Sequence, residues 1–141
     1  MHRAVDLIPV LLGLFVLLAP LLTRPGFTSV GVFLVLAFGL TLVAVVTATT
    51  LKAAQVWAGH PAFPSSHMSF VVTMSVFLVF WDTRWLVPAT LVCLVQAIVL
   101  RAGHFHTVPE IIGGTALGLL LGVPVAGSVA RARARGQGMR V

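Results

Sequence analysis

The sequence predicts an all-α, polytopic bundle of about five transmembrane helices, and three observations lead to this fold class. Of the 141 residues, 59% are hydrophobic and only 9% are charged, and the mean hydropathy is +1.09. The apolar residues form runs of about 20 residues, the length that a membrane-spanning helix needs. The runs are continuously apolar, whereas a transmembrane β-barrel needs alternating apolar and polar residues. Inside lipid, such runs must be helices, because every backbone polar group has to be paired within the segment.

The chain's few charges, prolines and glycines delimit the predicted spans. The first run could instead be a signal peptide, but Asp6 dilutes its basic start and no clear small-x-small cleavage site follows. We therefore expect a retained span. The third helix should begin at Ser65 or Ser66, and residues 82–84 should form a tight turn before the fourth. The predicted spans are 7–22, 30–51, 66–81, 85–100 and 108–129.

The fifth run carries glycines at four-residue spacing, Gly114, Gly118 and Gly122. Such a stripe lets another helix approach closely. The run completes a single transmembrane domain, residues 1–130, which a basic tail, residues 131–141, follows.

Charge predicts the topology. The net charge is +6, and four arginines lie in the tail, which favours a cytoplasmic tail facing anionic lipid over a nucleic-acid partner. Five spans then place the N-terminus outside, together with the connections Lys52–Ser66 and Arg101–Thr107. The predicted cytoplasmic segments hold six Lys or Arg residues and the outer segments hold three (Arg24, Arg84, Arg131, Arg133, Arg135 and Arg140 against Arg3, Lys52 and Arg101).

Nearly all other chemistry-bearing side chains fall in those two connections. Together with His67, which directly follows Ser66, they hold four of the five histidines, and Glu110 lies just inside the fifth span. Ionisable groups at this depth are costly and indicate a functional site. The alternative is that interfacial side chains merely extend toward lipid headgroups. The candidate site residues are Lys52, His60, Ser65, Ser66, His67, Arg101, His104, His106 and Glu110.

The residue types favour an anionic phosphate ligand. Lys52 and Arg101 supply positive charge, and a helix opening at Ser65-Ser66 presents free backbone N–H groups to an anion. His106 and Glu110 are four residues apart, so the carboxylate can orient the imidazole as a nucleophile or base. A zinc site at His104, His106 and Glu110 is the competing hypothesis. Because Lys52 and Arg101 would repel a dication, we expect neither a metal nor another cofactor.

These residues resemble the type-2 phosphatidic acid phosphatase family of membrane lipid phosphatases. The family carries Lys followed after six residues by Arg-Pro, then Pro-Ser-Gly-His, then Ser-Arg followed after five residues by His and after three more by Asp. Here the second motif reads Pro64-Ser65-Ser66-His67, the third runs from Arg101 to Glu110, and the first survives as Lys52 and His60-Pro61. The resemblance covers roughly residues 52–122. This sequence departs from the family pattern at four positions: His60 stands in place of Arg, Ser66 in place of Gly, Leu100 in place of Ser and Glu110 in place of Asp. The spacings within the first and third motifs also differ from the family's by one residue each.

The resemblance implies a mechanism and a substrate class. His106 would attack phosphorus and form a phosphohistidine, Glu110 would orient it, and His67 would protonate the leaving oxygen. Lys52, Arg101 and the backbone around Ser65 and Ser66 would hold the phosphate, with His60 assisting and His104 in the same binding group. The expected substrate is a lipid phosphate such as a prenyl (pyro)phosphate or phosphatidic acid. A head-group phosphotransferase and a non-catalytic lipid-phosphate binder or transporter are the alternatives. A channel is disfavoured because mid-span polar residues are few.

Overall fold

The computed structural model describes residues 2–19 and 27–138, and within them the side chains of residues 6–19 and 30–135. This part of the chain is all-α and contains no strand, as the sequence predicts. A 3-10 turn, Thr83–Trp85, precedes the fourth helix. The helices are α1 (His2–Leu18), α2 (Phe27–Ala53), α3 (Ser66–Trp81), α4 (Leu86–Ala102) and α5 (Val108–Gly138).

The helix bounds differ from the predicted spans mainly at the two ends of the chain. α1 begins before residue 7 and ends at Leu18, and residues 20–22 of the predicted span lie outside the described residues. α5 continues past residue 129 to Gly138, so the described part of the predicted tail is helical. The sequence Ala-Arg-Ala-Arg-Ala-Arg from residue 130 explains the extension, because both residue types are strong helix formers.

α3 is the central helix, since it packs against each of the other four. Its residues 71–78 are all buried. The sequence of α3 is apolar around its whole circumference, which is typical of a helix that is surrounded rather than half-exposed. With 16 residues it is also short, about 24 Å long at 1.5 Å per residue.

The glycine stripe of α5 lies directly against α3. A Cβ added at Gly114 would lie 2.4 Å from the backbone oxygen of Ser65, and one at Gly118 would lie 2.8 Å from the Cβ of Val72. No side chain fits at such distances without moving the backbone of α3. The predicted close helix packing is therefore confirmed, and it fixes the start of α5 beside the start of α3.

Among the residues that the structure describes, three helical segments are long and apolar enough to cross a membrane: Val30–Ala53, Thr83–Ala102 and Val108–Arg135. The apolar segments of α1 (Asp6–Leu18) and α3 are shorter. The outward-facing side chains are largely apolar; for example, Val35 and Leu120 are each 72% exposed. A surface of this kind suits lipid contact, in agreement with the predicted membrane protein.

The bundle has two chemically different ends. The first turns of α3 and α5 meet at one end, where the Ser65 N–H donates to the Glu110 carbonyl at 2.9 Å, and Asp6 of α1 contacts His67 there. We call this the histidine end. At the opposite end, which we call the basic end, Asp82 pairs with Arg84 and the Arg133 guanidinium lies 4.3 Å over the Trp81 ring.

Candidate functional site

The centre of the candidate site is a buried imidazole–carboxylate pair. His106 Nδ1 lies 3.1 Å from Glu110 Oε2, as their spacing predicts. His106 is 8% exposed and Glu110 is 2% exposed. Because an ionised carboxylate only accepts hydrogen bonds, Nδ1 carries the proton in this pair. The second ring nitrogen, Nε2, then holds the lone pair that a nucleophile or base needs.

Glu110 is held from three directions, which orients the pair. Its Oε2 also accepts from the Thr107 N–H at 2.9 Å, and its Oε1 accepts from the Ala62 N–H at 3.1 Å. Ala62 belongs to the connection between α2 and α3, whereas Thr107 directly precedes α5. One carboxylate therefore ties together the two polar connections that the sequence singles out.

Burial sets the charge state of His106, which lies in the connection between α4 and α5. Desolvation is the largest influence and lowers its pKa, and the nearby Lys52 and His67 act in the same direction. The Glu110 carboxylate opposes this by stabilising the imidazolium, but the net pKa is lowered. The imidazole is thus favoured in its neutral form, the form with a free lone pair at Nε2.

His67 and His60 flank this pair. The His67 ring centroid lies 6.2 Å from that of His106, with the planes inclined at 60°. His60 Nδ1 is 3.0 Å from the Thr107 hydroxyl, and the Trp57 ring packs edge-on against His60 with centroids 4.9 Å apart. Three of the predicted histidines therefore gather at one place.

The start of α3 supplies backbone donors. Ser65 is the N-cap, and its hydroxyl accepts from the Met68 N–H at 3.3 Å. Its own N–H is committed to the Glu110 carbonyl and it is fully buried, so Ser65 fixes the helix start rather than presenting a side chain to a ligand. The N–H groups of Ser66 and His67 precede the first intrahelical hydrogen bond, so they remain available as hydrogen-bond donors to an anion.

The predicted cations and His104 lie farther out. Lys52 is half-buried in the last turn of α2, close enough for its charge to act on His106. Arg101 and His104 are exposed at the end of α4 and just after it. Within the described part of the chain, their side chains make no hydrogen bond or ion pair, so the structure shows no polar bond between these two and the other site residues.

Sequence reasoning missed two groups that the structure places in the site. Asp6 of α1 lies with Oδ1 3.0 Å from His67 Nε2, and Thr107 bonds both Glu110 and His60. Asp6 is one of only three acidic residues in the chain, and its position at the head of an apolar run was a usable signal. Thr107 carried no comparable signal.

The described side chains that could ligate a metal do not form a metal-binding cluster. Among the described residues, no three His, Cys, Asp or Glu side chains gather closely enough to hold a metal ion. In the competing zinc hypothesis His104 would be a ligand, but it is exposed and has a left-handed backbone with φ of 56°, whereas His106 and Glu110 are buried and bonded to each other.

An apolar groove lies between α3, α4 and α5 and leads away from the histidine end. Its volume is about 400 Å³. At the histidine end the groove is lined by Met68 and Ile111, which directly follow His67 and Glu110 in the sequence. Toward the basic end it is lined by Phe80 and Leu86. Met68 and Phe80 are twelve residues apart on one helix, so the groove extends along roughly 18 Å of α3.

Comparison of the chain with protein-family models, with curated proteins and with solved structures found no match.

Proposed function

We propose that this protein is an integral membrane lipid phosphatase that works through a phosphohistidine intermediate, in the manner of the type-2 phosphatidic acid phosphatase family that its motifs resemble. The single observation that carries the proposal is the buried His106–Glu110 pair. It leaves Nε2 of a neutral imidazole free, beside a second histidine and a helix amino terminus. Phosphoryl transfer depends mainly on positioning and charge stabilisation, and these groups supply both.

The proposed reaction has two steps. In the first, the His106 Nε2 lone pair attacks phosphorus, the bond between phosphorus and the lipid oxygen breaks, and His67 gives its proton to that oxygen. Glu110 stabilises the positive charge that develops on the His106 ring. In the second step water attacks phosphorus and gives its proton to His67, the P–N bond breaks, and inorganic phosphate leaves.

The phosphate oxygens would be held by the positive charge of Lys52 and by the amides of Ser66 and His67. His60, held by Thr107 and Trp57, would assist. Arg101 and His104 are exposed at the same end and would meet the outer part of a headgroup. No metal is required in this scheme, because cations and amide dipoles provide the charge stabilisation.

The apolar groove supports a lipid as the substrate. A single hydrocarbon chain placed there would contact α3, α4 and α5 while its phosphate reached His106. The proposal puts the site on the extracytoplasmic face and the Arg-rich end of α5 in the cytoplasm, since the positive-inside rule favours this orientation and the basic end lies opposite the histidine end.

The experiment that tests the function is a phosphate-release assay on the purified chain. A panel of prenyl pyrophosphates, prenyl phosphates and phosphatidic acid is offered with EDTA present. We expect release from at least one lipid by the wild type, none by His106→Ala, and wild-type release by the control Ser128→Ala at the basic end.

Other outcomes would redirect the proposal. Lipid-phosphate binding without any release would favour the non-catalytic binder. Transfer of the phosphoryl group to an added alcohol, in place of phosphate release, would identify the head-group transferase. Phosphate release that occurs without EDTA but is abolished by EDTA would contradict the metal-free mechanism.

A further inference from the structure

Only one of the two ring nitrogens of His67 can be reached by a ligand. Nδ1 is buried and makes no hydrogen bond to any described residue. Nε2 is the nitrogen that contacts the exposed Asp6 side chain, and the His67 side chain as a whole is 34% exposed. A proton that passes from His67 to the leaving oxygen of a substrate must therefore leave from Nε2.

That nitrogen already has a partner. Asp6 Oδ1 lies 3.0 Å from His67 Nε2, and a carboxylate at this distance can only accept a hydrogen bond. The proton that the proposed reaction needs is thus the proton that His67 donates to Asp6. A phosphate oxygen and the Asp6 carboxylate are both anionic acceptors, so they cannot occupy the same position beside Nε2.

The contact can be released without moving α1. The Asp6 side chain is 72% exposed and lies in the second turn of the helix, whereas α1 is anchored farther along by Leu12 and Val16, which are buried in the core. A change of the Asp6 side-chain rotamer is enough to free Nε2. An exposed pair of this kind is weak, so a substrate can displace it.

We infer that Asp6 is a positioning residue that holds the His67 proton in the resting site and competes with the substrate's phosphate for it. The amino-terminal helix α1 thereby sets the affinity of the site for phosphate. The inference rests on the proposed function, since it concerns the proton donor of that reaction.

The test is the binding of inorganic phosphate to the full chain in detergent micelles, measured by calorimetry. Asp6→Asn keeps the shape of the side chain but removes its charge. We expect the Kd for phosphate to fall by about 1.4- to fivefold, the range that corresponds to the loss of an exposed ion pair. The KM for the lipid substrate should fall in parallel while kcat is not reduced. Asp82→Asn makes the same charge change at the basic end and should leave the Kd unchanged.

A double-mutant cycle separates the shared proton from general electrostatics. In a His67→Ala background, Asp6→Asn should no longer tighten phosphate binding. Equal tightening in both backgrounds, an unchanged Kd in the Asp6→Asn single variant, or weaker binding in that variant would each overturn the inference.

The failure of this inference can be told apart from the failure of the proposed function. If Asp6→Asn tightens phosphate binding through His67 but no lipid phosphate is hydrolysed, only the phosphatase proposal fails. If lipid is hydrolysed but the Kd does not respond to Asp6→Asn, only the inference fails. If no lipid phosphate is hydrolysed and neither the wild type nor Asp6→Asn binds phosphate, both are overturned.

Discussion

Replacement of Glu110 by Gln should both destabilise the protein and slow its reaction. The carboxylate accepts three hydrogen bonds, from His106 Nδ1 and Thr107 N–H on Oε2 and from Ala62 N–H on Oε1. A glutamine has one acceptor oxygen. If that oxygen takes the Oε2 position, its NH₂ group faces the Ala62 N–H, and a buried donor is left unpaired. If the amide is reversed, its NH₂ group faces the Thr107 N–H and forces His106 into the wrong tautomer.

The magnitude follows from these lost bonds. A hydrogen bond to a charged group contributes about 1.5–3 kcal/mol, and a buried unpaired donor costs about 1–3 kcal/mol. With Glu110 only 2% exposed, water cannot repair the loss, so we expect the free energy of unfolding to fall by about 2–4 kcal/mol. For a chain of this size that corresponds to a fall in apparent Tm of roughly 5–15 °C.

Thermal unfolding in detergent, followed by circular dichroism, measures the stability change, and phosphate release measures the activity. Asp82→Asn is the matched control, because it also neutralises one acid but at the exposed basic end. Glu110→Gln should retain more activity than His106→Ala, since the amide can still hold Nδ1 in one orientation. A Tm equal to that of the wild type, or equal loss of activity in the two variants, would refute the orienting role of Glu110.

Three further predictions concern packing, protonation and the groove. Gly114→Ala should lower the free energy of unfolding by about 1–3 kcal/mol through overpacking against α3, measured by thermal unfolding; Gly39→Ala, with nothing within 4 Å, should not. Because burial lowers the pKa of His106 and only the neutral ring attacks, the acid limb of kcat/KM should lie below about pH 6.5; a limb above that pH would contradict the assignment. Ala97→Phe, which fills the groove, should raise KM for a long-chain lipid phosphate but not for a short-chain one, whereas Ala116→Phe on the exposed face of α5 should change neither KM.

The sequence predicted those features that depend on local pattern. Continuous apolar runs gave five helices near the expected positions, and the four-residue spacing of Gly114, Gly118 and Gly122 gave the α3–α5 contact. The Ser65 cap and the His106–Glu110 pair could also be predicted, because each joins residues only three or four positions apart at the start of a helix.

What the sequence could not provide depends on packing between distant segments. The Asp6–His67 bond joins residues 61 positions apart, and the Ala62–Glu110 bond joins residues 48 apart. No periodicity encodes such pairs. The central position of α3 was not predicted for a similar reason. An apolar segment of 16 residues is typical of a marginal membrane span, whereas the structure shows this helix surrounded by the other four. The exposure of Arg101 and His104 likewise follows from how α4 ends, and composition does not reveal it.

The measurement that tests the central claim most directly is the trapping of the covalent intermediate. The purified chain is mixed with a radiolabelled lipid phosphate, quenched under alkaline conditions that preserve phosphohistidine, and mapped by mass spectrometry. The proposal predicts a transient, acid-labile phosphoryl group on His106 and its absence from His106→Ala. Hydrolysis of the lipid phosphate with no phosphoryl group trapped on the protein, together with full activity of His106→Ala, would contradict the proposal.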